Sequence, residues 1–289
     1  MKALSKLVLI GVGLIGGSFA LDLKQHQLVS TVVGIDVDCD NLTLAQEKHI
    51  IDEAFNNICH QAIAGADLIV IATPVNTLPE ICRQLAPLLT ENMIVSDVGS
   101  TKQSALSAFR TFLPQHFAHC VAAHPIAGSE QSGANAAQLG LYQHKKLILC
   151  PHEQQHSGSL KTMQQLWQTI GAETVLLDAA EHDAIFAAVS HFPHLLAFSY
   201  MHQILDNPQS EMLLSFAGSG FQDFTRLAAS SAAMWKDIML VNHQSLLSLI
   251  DAQQQQLNQL KKILEQQDEA ALLTYLNEAR QARKTWGKS

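Results

Sequence analysis

The sequence predicts an α/β domain built on a mostly parallel sheet, followed by an all-helical domain. Three observations carry that expectation. Short apolar runs alternate with helix-like segments through residues 1–178, strand signal all but vanishes from Ala179 onward, and the first apolar run ends in a cluster of glycines.

The first element is read from "KLVLIGVGLIGGSFALDLKQ", a short apolar strand, a glycine turn and a helix with Leu14, Ile15, Phe19 and Leu23 near helical spacing. Lys2 and Lys6 ahead of the run from Leu7 to Leu21 also have the outline of a secretory leader. Gly11, Gly13, Gly16 and Gly17 interrupt that run, however, and it falls short of the roughly 20 residues a membrane span needs. A second strand, "STVVGIDVD", reaches Asp36, and further strands are expected at "ADLIVIATP", "NMIVSDVGS", "AHCVAAHP", "KKLILCP" and "ETVLLD". Several of these are apolar throughout, as strands covered on both faces are. Beyond the division at 178/179, "SLLSLIDAQQQQLNQLKKIL" and "EAALLTYLNEARQARK" place apolar residues every three or four positions. The leucine pattern that brackets the glutamine run 253–256 makes that run a solvated helix face.

Composition narrows the function classes. A net charge of -8 and an isoelectric point near 5.9 argue against a nucleic-acid surface or an anionic membrane patch, so a small-molecule ligand is the expectation. The five cysteines are widely spaced and include no C-x-x-C, which indicates neither a disulfide framework nor a zinc ribbon and fits a reducing cytoplasm.

The glycine cluster "GVGLIG" is G-x-G-x-x-G, placed between a strand and a helix, with Asp36 at the end of the next strand. That is the arrangement of a Rossmann-like nucleotide-binding domain. Gly11 makes the tight turn, Gly13 admits the pyrophosphate to the backbone, Gly16 allows close helix packing, and Leu14 and Ile15 open the helix toward the phosphates. A carboxylate at Asp36 accepts hydrogen bonds from the adenosine ribose and repels a 2′-phosphate, which makes the expected cofactor NAD. Thr73 and Pro74 in "IATPV" stand at a strand end, where they turn the chain over the cofactor. Ser100 in "SDVGSTK" reads either as a helix N-cap or as an active-site hydroxyl. His124, opening "HPIAGSEQSG", ends another such strand, on the sheet edge where ligands of open α/β sheets collect.

In "AVSHFPHLLAF", His191 and His194 are three apart and can share a helix face. They read as polar substrate contacts or, less well supported, as metal ligands; without H-E-x-x-H or nearby paired carboxylates, no metal is expected. Arg226 and Lys236 are the only Lys or Arg residues between Lys161 and Lys261. Arg226 reads as a bidentate clamp on a substrate carboxylate or as the partner of Asp223. Trp235 reads as core or as a ligand contact.

Taken together, "GVGLIGGS", "DVGSTK", "HPIAGSEQSG", "VSHFPH" and "GFQDFTR…MWKD" resemble the prephenate dehydrogenase family of tyrosine biosynthesis, in the same order and over nearly the whole chain. The resemblance implies a nucleotide-binding domain, a helical C-terminal domain that makes a homodimer, and NAD-dependent oxidative decarboxylation of prephenate to 4-hydroxyphenylpyruvate. It also implies that His124 is the catalytic histidine, that Ser100 lies by the nicotinamide, and that His194, with His191 nearby, contacts substrate. Arg226 is implied as the carboxylate clamp, and Glu130 matches an acidic residue of the His124 loop. Some members carry a lysine four residues before the arginine. This sequence has Gln222 there, and a missing cation costs less with arogenate, whose side chain brings its own ammonium, so both substrates remain open.

The chemistry fits these residues. Prephenate loses a hydride from C4 and a ring carboxylate as carbon dioxide, so the protein must supply an acceptor for the C4 hydroxyl proton and a clamp for anionic groups. His124 is expected to be the acceptor, oriented by Ser100 and titrating near the ordinary value of about 6.5, with its loop turning beneath the substrate. A 3-hydroxyacid dehydrogenase or imine reductase of the same plan would rest on a lysine in the helical domain, for which Lys236 is the candidate. A protein that merely senses NAD would need no base.

The reading of Asp36 yields a prediction. Asp36→Ser removes the repulsion of a 2′-phosphate and should move preference toward NADP by about 1–3 kcal/mol. Initial rates with both dinucleotides measure it, and a wild type that uses NADP as well as NAD sinks the assignment.

Overall fold

The computed structural model describes residues 3–128 and 131–286. Its first half alternates strands and helices: β1 (Leu4–Ile10), α1 (Leu14–Gln25), β2 (Val29–Ile35), α2 (Cys39–Glu47), β3 (Glu53–Phe55), α3 (His60–Ile63), β4 (Leu68–Ile71), α4 (Leu78–Leu85), β5 (Ile94–Asp97), α5 (Lys102–Phe112) and β6 (Cys120–Pro125). There follow β7 (Lys146–Cys150), α6 (Ser157–Thr169) and β8 (Glu173–Leu176). The eight described strands form one sheet in the order β3-β2-β1-β4-β5-β6-β7-β8. Each neighbouring pair is parallel except β6 with β7. The glycine-interrupted run near the N-terminus is β1, its turn and α1, and β3 is the one strand that the sequence pattern did not offer.

The sheet is covered on both faces, and β1 shows why its sequence is apolar throughout. Side chains alternate across a strand, so Leu7 and Leu9 join one core with Phe19, Tyr142 and Trp167 while Val8 and Ile10 join the other with Ile81, Phe109 and Phe117. Phe19 stacks on Trp167 with ring centroids 4.4 Å apart, which fixes α1 against α6.

In register, Ile10 stands beside Ile35 on one side and Ile71 on the other. The chain departs from β1 toward β2 and β3 in one direction and toward β4 in the other. The crevice of a doubly wound sheet therefore opens above Gly11, Asp36 and Ala72.

From Ala179 the described chain is helical: α7 (Ala179–Phe186), a π-helical turn (Ala187–His191), α8 (Phe192–Leu205), α9 (Ser210–Ser215), α10 (Ser219–Thr225), α11 (Ala232–Val241), α12 (His243–Glu265) and α13 (Glu269–Trp286). Residues 1–242 make one compact unit, so α7 to α11 group with the sheet domain; residues 243–289 make a second. In the second unit α12 and α13 pair as a hairpin. The Tyr275 hydroxyl donates to Gln256 Oε1 at 3.0 Å, and the Asp268 carboxylate accepts from the N–H of Ala271 at the start of α13. The 27-residue run Ala179–Leu205 is long and apolar enough to cross a membrane by length and composition alone. A subunit interface makes the same demand on composition.

At the start of β6 a group of imidazoles is built into the fold. His116 pairs with the Met93 carbonyl at 2.6 Å, His119 with the Ser159 hydroxyl at 3.0 Å, and His152 stacks on Phe117 at 3.8 Å. Burial lowers the pKa of all three. A histidine with a folded pKa below its unfolded value of about 6.5 gives stability that is intact above that value and is lost as pH falls through it. Urea midpoints should therefore drop between pH 7.5 and pH 5, and less so in His116→Gln, which keeps a donor for Met93. Equal midpoints at the two pH values would remove these imidazoles from the account.

Candidate functional site

The glycine turn is shaped by what surrounds it. Gly11 has φ +90°, and a Cβ there would lie 2.8 Å from the Ala72 carbonyl carbon and oxygen, so the position admits glycine alone. A Cβ on Gly16 would lie 2.5 Å from Leu9 Cδ1, which is the close contact of α1 with the sheet. Gly13, by contrast, has open space around it, with its nearest contact at 4.0 Å, and it begins α1 with no side-chain cap. The first N–H groups of α1, at Leu14 and Ile15, stand where an anion's oxygens can be received. Asp36 is aimed at this turn: Oδ2 accepts from the N–H of Val12 at 2.9 Å and from Asn41 Nδ2 at 3.2 Å, and Oδ1 from the N–H of Asp38 at 3.1 Å. Thr73 Oγ1 bonds Thr77 Oγ1 at 2.7 Å across Pro74, holding the turn after β4 at the same edge.

The chain that follows the His124 loop is bonded to the helices of the nucleotide-binding edge. Asn41 accepts from the N–H of Ala134 at 2.7 Å, Ser18 from Gln138 at 3.0 Å and Asp22 from Gly140 at 2.7 Å, so residues 133–140 are tied along α1 and α2. Gly133 consequently sits over Gly13. The small residues let this loop lie close on the nucleotide crevice, as contacts with Gly13 and Gly17 require. Glu130 lies outside the described residues.

His124 stands at the end of β6, partly exposed, against Phe186 with ring centroids 4.9 Å apart. Its orienting partner is not Ser100. Nδ1 of His124 pairs with Nε2 of His182 at 2.8 Å, and Nδ1 of His182 donates to Asp183 Oδ1 at 2.8 Å. Asp183 also accepts from the first N–H groups of α5, Lys102 at 2.7 Å and Gln103 at 3.0 Å. The cap of α5 is thus a carboxylate from α7, which displaces the N-cap reading of Ser100. Thr101 occupies the N-cap position and spends its hydroxyl on Ser104, and Ser100 makes no side-chain hydrogen bond among the described residues. Burial alone would raise the Asp183 pKa, but the bonds from His182, Lys102 and Gln103 outweigh it and hold the group below the usual value, ionised.

Beneath His124, the fully buried ammonium of Lys102 pairs with Asp97 and donates to the Ala123 carbonyl. Asp97 accepts in turn from the N–H groups of Gly99 at 2.9 Å and Ala123 at 3.2 Å. This staple ties the ends of β5 and β6 to α5. Burial first, then the charge of Lys102 and the neighbouring His182 and His191, pushes the His124 pKa well below 6.5 rather than leaving it near that value. The imidazole is neutral at pH 7 and able to accept a proton.

The helical residues divide. His191 is buried, with Nδ1 3.2 Å from Asn242 Nδ2, which donates at 2.8 Å to the Asp183 carbonyl; burial takes its pKa down to about 4. It belongs to the support of Asp183. The π-helical turn that ends in His191 precedes Pro193, whose ring supplies no N–H and widens the helix at this point. His194 stacks on Trp235 at 3.7 Å, pairs with the Ser190 carbonyl at 2.9 Å, and has its pKa lowered by burial and by the nearby Arg226 guanidinium. Trp235 is buried, and its indole N–H has no acceptor among the described residues. Arg226 and Gln222 are exposed, and Arg226 makes no ion pair with Asp223 or any other described residue. Lys236 points elsewhere, exposed and bonded to Asp237 at 3.1 Å. No cluster able to hold a metal occurs among the described residues.

Sequence reasoning missed His182, Asp183, Asp97 and Asn242. The string "EHD" at 181–183 opens a helix, and an acidic residue in a first turn reads as favouring that helix's own N-terminus. Nothing in the string says that the carboxylate caps a different one.

Comparison with known proteins agrees with this geometry. The nucleotide-binding domain model of prephenate dehydrogenase matches residues 19–176, and its dimerization domain model matches residues 178–278. The Bacillus subtilis prephenate dehydrogenase is 33% identical over 96% of this chain and 75% of its own. The Zymomonas mobilis cyclohexadienyl dehydrogenase is 30% identical over 98% and 96%. The Aquifex aeolicus prephenate dehydrogenase, solved in complex with hydroxyphenyl propionate and NAD+, superposes with a TM-score of 0.91 at 32% identity, covering 97% of this chain and 98% of that one. By family models that span most of its length and relatives alike along both parts, the chain belongs to the prephenate dehydrogenase family.

Proposed function

We propose that this chain oxidises and decarboxylates prephenate to 4-hydroxyphenylpyruvate in tyrosine biosynthesis, with NAD reduced to NADH. The observation that carries the reading is a neutral imidazole, His124, held at the nucleotide-binding edge of the sheet by a buried relay. The cradle left by Gly11, Gly13 and Gly16, the opening of α1 at Leu14 and Ile15, the carboxylate of Asp36 and the turn at Thr73 and Pro74 fit a dinucleotide and would hold NAD. When bound, NAD supplies the acceptor for the hydride from C4. Ser100, whose hydroxyl makes no hydrogen bond among the described residues, would hydrogen-bond the nicotinamide or the substrate.

His124 then takes the C4 hydroxyl proton as the carbonyl forms, and loss of the ring carboxylate as carbon dioxide is driven by aromatisation. Arg226 supplies a bidentate site for a substrate carboxylate, with His194 and the unpaired indole N–H of Trp235 beside it. His191 contributes indirectly, through Asn242 and Asp183. The exposed lysine at 236 offers nothing to a 3-hydroxyacid dehydrogenase mechanism.

Arogenate is the second reading. Gln222 puts no cation beside Arg226, and the similar Zymomonas mobilis protein is a cyclohexadienyl dehydrogenase. NADH formation from prephenate and arogenate, measured side by side, decides between them, and no turnover of either overturns the assignment. The functional division follows 178/179, with residues 1–178 binding nucleotide and residues 179–289 binding substrate and pairing subunits. The five unpaired cysteines suit the cytoplasm.

The same reading includes a homodimer. Val189, Leu205, Phe216, Phe224 and Leu240 in the first unit are exposed, as are Leu247, Leu257, Leu264, Leu273 and Leu276 in the second, and a partner subunit would cover such apolar side chains. Sedimentation at micromolar concentration should show a dimer, and a monomer there removes the proposal.

Arg226→Ala should raise KM for the substrate with little change in kcat, because the carboxylate it holds is alike in ground and transition states; the loss should be about 1.5–3 kcal/mol, the worth of hydrogen bonds to a charged group. An unchanged KM in the folded variant would take Arg226 out of the site. His124→Asn should lower kcat by about 100- to 10,000-fold while NAD affinity persists. The acid limb of the wild-type profile should lie below pH 6.5, since the lowered pKa keeps His124 neutral there, and the variant should lack that limb. A variant that retains both kcat and the limb points to another base.

A further inference from the structure

Two buried side chains behind His124 do more than fill space. The Asp183 carboxylate receives two backbone N–H groups and can only accept, so the proton in its 2.8 Å contact with His182 belongs to Nδ1 of His182. A neutral imidazole carries one N–H. Nε2 of His182 is therefore a lone pair, and the proton in its 2.8 Å contact with His124 belongs to Nδ1 of His124. By this chain of constraints the lone pair of His124 is left at Nε2, on the side of the ring turned from His182.

We propose that His182, with Asp183, is a positioning residue for the reaction: it locks His124 in the Nδ1–H tautomer and receives that proton when His124 takes one from substrate. The inference rests on the assignment of His124 as the base. In the step, the O–H bond of the C4 hydroxyl breaks and its proton bonds to His124 Nε2. The Nδ1–H bond of His124 breaks and its proton bonds to His182 Nε2. The C4–H electron pair leaves as hydride to NAD, and the oxygen lone pair becomes the carbonyl π bond. The positive charge ends on His182, in contact with the Asp183 carboxylate, and not on His124, above the Lys102 ammonium. Coulombic repulsion and attraction both favour that destination. His182 is fully buried and Asp183 nearly so, which places the charge on a group shielded from solvent.

Two measurements test this. The first is ¹⁵N NMR of histidine side chains in the NAD-saturated wild type, which needs no turnover and so stands whether prephenate, arogenate or neither is the substrate. Couplings should place the proton of His124 on Nδ1. The second is His182→Gln. Its kcat should fall about 10- to 100-fold, less than the 100- to 10,000-fold worth of a general base, with KM changed less than about twofold. The dependence of kcat on the deuterium content of the solvent should pass from curved, for two protons in flight, to linear, for one. A structural role alone would leave that curvature in place. An Nε2–H tautomer on His124 overturns the proposal, as does a folded His182→Gln protein with unchanged kcat and unchanged curvature. If that variant does not fold, His182→Asn is read by the same criteria, and the wild-type tautomer decides on its own.

Discussion

One carboxylate holds the edge of the sheet around His124 together. Asp183 comes from the first helix after the sheet, yet its oxygens serve α5 and His182, and its own carbonyl is held by Asn242. A helix N-terminus left uncapped at this depth would carry unsatisfied N–H groups, and an imidazole left unpaired would choose its tautomer freely. The same ion removes both problems, and it does so because several donors surround it in a space with little water. The buried Lys102–Asp97 pair is the complementary piece. It fixes the ends of β5 and β6, so that α5 presents its N–H groups to Asp183 and His124 stands over the crevice.

How much of this could be read from the sequence follows from the range of each interaction. The glycine turn, the strand ends and the acidic residue after β2 are local patterns in which spacing alone implies geometry, and Gly11, Gly16 and Asp36 take the places that spacing implies. His124 was legible for a similar reason, since the end of an apolar strand in an open sheet points to one edge. His182 and Asp183 were not, because their partners lie 58 and 81 residues away and no periodicity records a contact of that kind. Ser100 shows the cost of reading locally. A serine before a helix is a good cap by propensity, and here a distant carboxylate occupies the role.

The histidines make the same point from the other direction. His191 and His194 are equivalent by spacing, but the π-helical turn before Pro193 gives them different neighbours, one facing Asn242 and the other Trp235. Chain chemistry decided the split, since proline removes a donor and the helix must widen to accommodate it.

The reversal of β7 has a consequence for how such a protein can change over generations. Because β7 runs antiparallel to β6, the chain leaves His124 and returns to the sheet at the same edge. The described part of the connection between them holds no helix longer than a single turn, yet Ala134 and Tyr142 anchor it in one core. Substitutions at its exposed positions, Leu139 among them, leave the sheet order, both cores and the contacts behind His124 as they are, whereas changes at Ala134 or Tyr142 reach the core. Variation is thereby confined to the outer face of this one segment, separated by topology from the groups that hold His124.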